Sequence, residues 1–485
     1  MTGQGANTPS SLLPIRRHPP TISSRLSGFS GYLFAAAVAV VCRFSSAVPF
    51  WTGVAFVMVA YVSADILKNC SNEVKLIDFT LLLAGMQWFV LPHFTYLFSD
   101  SLEYTHLMQV GESEYMFNTL IAYLGYWIGM KLFAPKIVWQ KNESRTSKTF
   151  WPIALRIGVL LFAIGFMFSS FIAQIGLWIA MCYLLKNICF ASQKRRYIWA
   201  LIALDVYVLI QSIVISMFHR LLLMLMMQLL FFTVIFKIQG KKLFVILLGG
   251  MMFINVLQVS KTGYRQIMGN YRTGERIEVF YKIFWDNMQN MFSPDDSGEQ
   301  FWMRYNQGRL ISHVYLFTDG KFRAENLSKF AEPLMAIALP RFLMPDKRRA
   351  GGKDNIKDFT NLKLADNTSM NISTVGEGYA YFGKYGNFIF HLMIGGIFAG
   401  VLRLLMHWER IYGVGVFGIP AIFSLSIRAE SDFVTGYNAL FKTLLLFALI
   451  LWYSNSRVKT RGISEAHDED SCNGSVGAAN GTGDL

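Results

Sequence analysis

Residues 151–185 read WPIALRIGVLLFAIGFMFSSFIAQIGLWIAMCYLL, one apolar run that ends at Lys186. A helix of about 20 apolar residues crosses a bilayer. The run therefore holds either one long helix or two crossing helices. The choice between them decides on which side of the membrane every later loop lies.

The composition of the whole chain points to a membrane protein. Of the 485 residues, 53% are hydrophobic and 16% are charged, and the mean hydropathy is +0.36. Soluble domains carry about 25% charged residues, so an ordinary soluble enzyme is excluded. With 13 Pro and 5 Cys, the chain is also not collagenous, disordered throughout or rich in disulfides. We expect an all-α polytopic membrane protein.

Apolar segments long enough to approach a full crossing recur along the chain. When the run at 151–185 counts as two helices, the sequence predicts about twelve transmembrane helices. The segments are Leu26–Cys42, Phe50–Leu67, Leu76–Phe98, Tyr115–Met130, Trp151–Phe168, Phe171–Leu185, Ile198–Phe218, Leu221–Phe236, Leu243–Val259, Gly386–Val401, Ile411–Ile427 and Ala439–Tyr453.

The positions of lysine and arginine support two helices in the run. With twelve spans all the strongly basic loops fall on one side, whereas the short loops of the other side hold only Arg43, Arg220 and Arg428 and an acidic loop at 100–114. Cytoplasmic loops are enriched in Lys and Arg. Both termini are therefore expected in the cytoplasm. A single helix at 151–185 would break the pattern at every later loop.

This topology divides the chain into five parts. Residues 1–25 and 457–485 are polar and are expected to be disordered cytoplasmic tails. Residues 26–259 hold the first nine helices and residues 386–456 the last three. Residues 260–385, with 18 Lys+Arg and 14 Asp+Glu, form a large outer loop domain between spans nine and ten. Two amphipathic helices are expected within it, at 279–292 and 301–317. The apolar segment 330–345 is either a helix of the loop core or a segment that dips into the membrane.

Three arginines at the outer membrane boundary are the first candidate site. A charge at membrane depth is costly and needs compensation, and the arginine fork binds phosphate oxygens in a bidentate way. Arg43, Arg220 and Arg428 are therefore candidates to bind a membrane-anchored pyrophosphate. The alternative is that each reaches the headgroups or pairs locally, as Arg428 would with Glu430 or Asp432.

Two further motifs lie in the outer loop. Arg341 and Lys347 belong to PRFLMPDKRR at 340–349, which is either a phosphate contact or a solvated charge run. Glu377 and Tyr379 belong to GEGYAYFG at 376–383. A partly desolvated Glu377 is a candidate general base, or it forms a capping box with Thr374. If Glu377 is not the base, Glu430 and Asp432 are the next candidates.

No cofactor site is expected. The five cysteines are scattered at 42, 70, 182, 189 and 472, without the spacing of a metal site or a disulfide framework. The acidic residues of the outer loop are not paired at ligand spacing. We therefore expect function without a metal or another cofactor.

The stretch Pro340-Arg341 to Lys347, followed by Gly376-Glu377-x-Tyr379-x-x-Phe382-Gly383-x-x-Gly386, resembles the bacterial oligosaccharide repeat unit polymerases of the O-antigen polymerase type. The resemblance in architecture covers about residues 26–456. This sequence departs from the family at Arg348, where a proline often follows the lysine, and in its acidic C-terminal tail.

The resemblance implies a multi-pass glycosyltransferase of the bacterial inner membrane whose large loop is periplasmic. It would polymerise undecaprenyl-pyrophosphate-linked oligosaccharides into surface polysaccharide, with a chain-length regulator as a protein partner and no nucleic acid. Arg220, Arg341 and Arg428, with Arg43, would bind the pyrophosphate and Glu377 would serve the acceptor hydroxyl. The alternatives are an O-antigen-type ligase, which differs in its acceptor, and a flippase for lipid-linked oligosaccharide.

The topology is testable with reporter fusions. We expect an alkaline phosphatase fused after residue 290 to be active and one fused after residue 461 to be inactive, with a reporter that works only in the cytoplasm giving the opposite pattern. The reverse pattern would contradict both the orientation and the functional interpretation.

Overall fold

The computed structural model describes residues 48–97, 108–137, 144–168, 170–272, 274–289, 306–322, 352–362 and 370–477, and the single residues 325, 330 and 335. Every long regular element in these ranges is helical. The helices are α1 (Phe50–Asn69), α2 (Leu76–Leu97, with a π-helical turn at Met86–Val90), α3 (Glu112–Phe133), α4 (Arg145–Phe168), α5 (Ser170–Phe190), α6 (Lys194–Ile215), α7 (His219–Ile235), α8 (Gly240–Ile267), α9 (Glu275–Gln289), α10 (Gly308–Thr318), α11 (Lys353–Phe359), α12 (Ser373–Tyr412), α13 (Gly415–Phe423) and α14 (Phe433–Gly477).

Eight of the described helices are long and apolar enough to cross a membrane, namely α1, α2, α4, α5, α6, α8, α12 and α14. Helix α7 is apolar but has only 17 residues. Helix α3, of 22 residues, occupies the predicted fourth span. The protein is thus an α-helical polytopic membrane protein. The predicted first span, Leu26–Cys42, lies outside the described residues.

The run at 151–185 forms two helices, as the charge pattern indicated. Helix α4 ends at Phe168 and α5 begins at Ser170. The two helices then pack side by side, because Gly165 lies against Ala173 and Gly158 lies against Ile179. This antiparallel pairing confirms the prediction of two helices in the run.

Helices α3 and α12 pack closely against each other. Gly125 and Gly129 on α3 lie directly against the backbone of α12 at Phe388 and Leu392. Small residues four positions apart allow two membrane helices to approach this closely. The contacts also show that α12 runs in the same direction as α3 from residue 388 onward.

The end of the bundle that the positive-inside rule assigns to the cytoplasm is called the inner end here. A buried ion-pair network closes it around Lys75, whose Nζ lies 2.6 Å from Glu73, 3.1 Å from Asp65 and 3.5 Å from Asp78. Lys131 of α3 pairs with Asp78 of α2. Burial alone would lower the pKa of Lys75, but the three carboxylates hold that pKa above its ordinary value. The positive charges of Lys75 and Lys131 are therefore neutralised by nearby carboxylates.

Helix α12 is folded back on itself at Gly383, near its outer end. Gly383 has φ 72° and ψ −179°, a conformation open almost only to glycine. The segments on either side of it touch, since Asn387 donates to the Val375 carbonyl at 3.2 Å and His391 Nε2 lies 3.3 Å from Thr374 Oγ1. The segment 373–382 thus returns along the main part of α12, instead of forming the loop predicted before a tenth span at Gly386.

The predicted eleventh span, Ile411–Ile427, is not one helix. Helix α12 continues to Tyr412, Gly413 takes a left-handed conformation, and α13 has only nine residues. At about 1.5 Å per residue, α13 is too short to cross a bilayer. Residues 424–432 then form a turn that leads directly into α14. We call these residues the 424–432 turn.

Two predicted domain boundaries also differ from the structure. Helix α8 extends to Ile267, beyond the predicted limit at 259, and α12 begins at Ser373, before the predicted limit at 385. The two amphipathic helices expected in the outer loop correspond to α9 and α10, and the segment 330–345 lies almost wholly outside the described residues. Helix α14 continues to Gly477, so this part of the predicted disordered tail is helical, because extending an anchored helix needs no new nucleation.

The fold at Gly383 is testable by adding one methyl group. We expect Gly383→Ala to destabilise the protein by about 1–3 kcal/mol, because a Cβ there is strained by the backbone angles and lies 2.8 Å from the Gly320 carbonyl oxygen. The measurement is thermal unfolding of purified protein in detergent. Gly396→Ala, on the same helix with no atom within 4 Å of the new Cβ, is the matched control. Equal melting temperatures for the two variants would contradict this description.

Candidate functional site

The 424–432 turn is fixed to two other helices through one carbonyl. Ser373 Oγ, at the start of α12, donates to the Ala429 oxygen at 2.6 Å. Trp88 Nε1, in the π-helical turn of α2, donates to the same oxygen at 3.3 Å. Both donors are buried. The side chains on either side of Ala429 therefore have a defined position.

Arg428 forms the local pair that the sequence offered as its alternative role. Its Nε donates to Glu430 Oε1 at 2.9 Å, and Nη2 also contacts that oxygen. Burial would raise the pKa of Glu430, but Arg428, His219 and Lys261 hold it below its ordinary value. Glu430 is thus ionised at neutral pH and orients the Arg428 guanidinium.

His219, the first residue of α7, interacts electrostatically with charged groups from three segments. It is within electrostatic range of Arg428 and Glu430 from the 424–432 turn, of Arg220 beside it in α7, and of Lys261 from the outer part of α8. Arg220 and Arg428, two of the arginines that the sequence offered as pyrophosphate ligands, thus both interact with the same histidine. We call Arg220, Lys261, Arg428, Glu430 and His219 the outer charge cluster.

The two arginines of the outer charge cluster differ in their pairing. Arg428 is paired with Glu430, whereas Arg220 has no ion pair within the described ranges. A guanidinium group without a carboxylate partner is suited to bind an anionic oxygen, such as that of a phosphate or pyrophosphate.

Glu377 is not placed as a substrate-facing base. The residue is 1% exposed, and both of its carboxylate oxygens accept hydrogen bonds, from Asn355 Nδ2 at 2.6 Å and from the Phe433 N–H at 2.5 Å. It does not form the predicted capping box either, because α12 begins at Ser373 without a side-chain cap. Glu377, which belongs to α12, instead caps the first turn of α14 and connects α14 to α11.

Asp432 caps the same helix from within the chain. Its Oδ1 accepts the Thr435 N–H at 2.7 Å, the position of an N-cap contact. Burial raises the pKa of Asp432 above its ordinary value, although the Thr435 contacts and Arg428 act in the opposite direction. The residue is 2% exposed, so its observed role is structural.

Tyr379 is also a packing residue. It lies in the folded-back segment of α12, is 4% exposed, and packs on Tyr315 of α10 with ring centroids 4.3 Å apart. Arg43, Arg341 and Lys347 lie outside the described residues, so their predicted part in the site stays a prediction.

Two members of the outer charge cluster were missed by the sequence reasoning. His219 directly precedes Arg220, and Lys261 follows the ninth apolar segment on the side where basic residues are disfavoured. The signal that locates both residues is their position next to the outer end of a span. Lys261 was counted with the loop domain rather than with the membrane boundary.

A second polar group lies at the outer ends of α1, α2 and α3. Glu112 accepts from Thr52 Oγ1 at 2.8 Å and lies 2.7 Å from His93 Nδ1. His93 is 4% exposed, so this pair mainly joins the three helices. In the part of the chain that the structure describes, no group of three or more His, Cys, Asp or Glu residues is placed to hold a metal ion.

The capping role of Glu377 leads to a stability prediction. We expect Glu377→Gln to lower the amount of folded protein and its melting temperature, at a cost of about 1–3 kcal/mol, because an amide turns one acceptor into a donor that faces another donor. Membrane immunoblots and thermal unfolding measure the effect. Glu278→Gln, at an exposed position of α9, is the control. A fully stable Glu377→Gln protein would favour the catalytic role instead.

The chain matches no known family model, no curated protein and no solved structure. The site therefore depends on the contacts described above. In those contacts both oxygens of Glu377 are occupied by groups of the protein, whereas Arg220 has no ion pair within the described ranges.

Proposed function

We propose that the protein is a membrane glycosyltransferase that polymerises undecaprenyl-pyrophosphate-linked oligosaccharide repeat units at the periplasmic face of a bacterial inner membrane. The observation that supports this proposal is the outer charge cluster. Arg220, Lys261 and Arg428, from α7, α8 and the 424–432 turn, all interact electrostatically with His219, and Glu430 is the carboxylate beside Arg428. A lipid-linked pyrophosphate carries the negative charge that the two arginines are suited to bind.

The proposed reaction is a substitution at the anomeric carbon of the donor glycan. The bond from that carbon to the pyrophosphate oxygen breaks, and a bond to the acceptor hydroxyl oxygen forms. The proton of the hydroxyl passes to a base, and undecaprenyl pyrophosphate leaves with the bonding electrons. Arg220, Lys261 and Arg428 stabilise the charge that develops on the leaving group.

We assign the base to Glu430 rather than to Glu377. The Glu430 side chain is 33% exposed and lies in the cluster, whereas Glu377 is enclosed and accepts two hydrogen bonds. An ionised carboxylate close to the leaving group is able to take the proton of the acceptor hydroxyl. Arg341 and Arg43 keep their proposed place as further pyrophosphate ligands.

Deleting the gene in its host tests the function class. Surface polysaccharide is separated on a gel and compared with that of the complemented strain. Loss of long chains with retention of a single-repeat species is the result we expect. Loss of every capped species would indicate the ligase, and accumulation of lipid-linked repeats on the cytoplasmic side would indicate the flippase; either result contradicts the proposal.

Point variants test the residue roles within the cluster. Arg428→Lys should reduce both binding of undecaprenyl pyrophosphate and polymerisation about tenfold or more, because it keeps the charge but loses the planar fork. Glu430→Gln should retain binding and lose polymerisation by about 100-fold or more. The readouts are lipid binding to purified protein and chain length on a gel.

The exposed Arg272 gives a matched control as Arg272→Lys, which should behave like the wild type. Normal polymerisation by both cluster variants, at normal protein level, would show that this cluster is not the active site.

A further inference from the structure

Helix α9 has two apolar sides, and one of them is packed against neighbouring elements. On the packed side Phe280 contacts Phe218 and Tyr264, with ring centroids 5.1 and 5.4 Å apart. The other apolar side is a stripe of four side chains that are between 37% and 62% exposed, namely Ile277, Tyr281, Trp285 and Met288. We call these four residues the α9 stripe. Its exposure requires an explanation, because large apolar side chains that lie together are rarely left in water.

The α9 stripe follows the period of the helix and borders a charged side. Its members are separated by four, four and three residues, so they lie above one another along the helix. The side next to them carries exposed charges at Glu275, Glu278, Lys282 and Asp286. Apolar residues on one side of a helix and charges on the other are the pattern of a helix that lies in a membrane interface.

The contacts between α9 and α8 give the depth of the α9 stripe. Phe280, near the middle of α9, contacts Tyr264 in the outer part of α8. Phe284, one turn later, contacts Phe253, with ring centroids 5.9 Å apart. The two helices are therefore antiparallel, and the last turns of α9 lie beside the apolar, membrane-crossing part of α8.

The surface of α8 at this point is a lipid-facing surface. Met251, Met252 and Phe253 are 44%, 38% and 37% exposed, and consecutive residues of a helix point in different directions. Because α8 is long and apolar enough to cross the membrane, the medium around these side chains is the bilayer. Trp285 and Met288 lie at the end of α9 that meets Phe253. The α9 stripe therefore continues the lipid-facing surface of α8.

We propose that the α9 stripe is embedded in the outer leaflet of the bilayer and anchors the beginning of the outer loop to the membrane. Met288 and Trp285 contact the lipid chains, and Tyr281 lies one turn higher, at the headgroups, where Tyr and Trp are enriched in membrane proteins. The charged side of α9 faces water. Burial of these side chains in lipid involves no reaction, so the inference does not depend on the polymerase proposal.

The anchor lies beside the outer charge cluster. The packed side of α9 holds Phe280 against Phe218, and Phe218 directly precedes His219. Lipid contact on one side of α9 and protein contact on the other therefore keep this part of the outer loop next to the cluster.

Photocrosslinking from single positions of α9 tests the anchor. The crosslinking amino acid p-benzoylphenylalanine replaces Tyr281 or Trp285 in the full-length chain, and in the matched controls it replaces the neighbouring Lys282 or Asp286. The proteins are reconstituted into vesicles of phosphatidylglycerol and phosphatidylethanolamine whose acyl chains carry an alkyne for detection. We expect about fivefold more lipid adduct, or a larger excess, from positions 281 and 285 than from positions 282 and 286.

Thermal unfolding in detergent shows that each variant is folded, and Met288 takes the place of a stripe position whose variant is not. Equal amounts of lipid adduct from the two sides of α9, or more from the charged side, would overturn the inference. An adduct between two copies of the chain in place of the lipid adduct would indicate a protein interface. Protection of the stripe by added soluble glycan, without a lipid adduct, would indicate a sugar-binding surface, and either result contradicts the inference.

Discussion

A charged side chain removed from water needs a counter-charge, and the two ends of this helix bundle meet that requirement differently. At the inner end Lys75 and Lys131 are paired with Asp65, Glu73 and Asp78, and the network joins α1, α2 and α3. At the outer end Arg428 is paired with Glu430, and Arg220, which interacts electrostatically with the same His219, has no ion pair within the described ranges. A cation without a counter-charge attracts an anion. In our proposal, the outer end is therefore the one that binds an anionic group.

Hydropathy and basic loops predicted most of the crossing helices, because these signals depend on composition alone. The division of the run at 151–185 is the clearest case, since it was decided by charges far from the run itself. The prediction of the eleventh span was wrong for a local reason. Gly413 and Gly415 interrupt a segment whose average hydropathy is high enough for a membrane-crossing helix. The close contact of Gly125 and Gly129 with α12 was not predicted, because the partner of these glycines is defined only by the fold.

The sequence indicated which types of residue belong to the candidate site, but it indicated the role of each residue less well. Arginines at the outer boundary were singled out because a charge at that depth is costly, and two of them, Arg220 and Arg428, interact with the same His219. The role of Glu377 depends on Asn355 and Phe433, which lie 22 and 56 residues away along the chain. No local pattern contains such contacts. A buried carboxylate in a glycine-rich motif therefore has the same sequence signature whether it takes a proton or holds two helices together.

The two hydrogen bonds of Glu377 also have a mechanical consequence. One oxygen is attached to α11, a helix of the outer loop, and the other to the first turn of α14, five residues after Arg428. One carboxylate thus links α11 to the helix that directly follows the 424–432 turn. A displacement of α11 would therefore act through Glu377 on the first turn of α14, close in sequence to the guanidinium of Arg428.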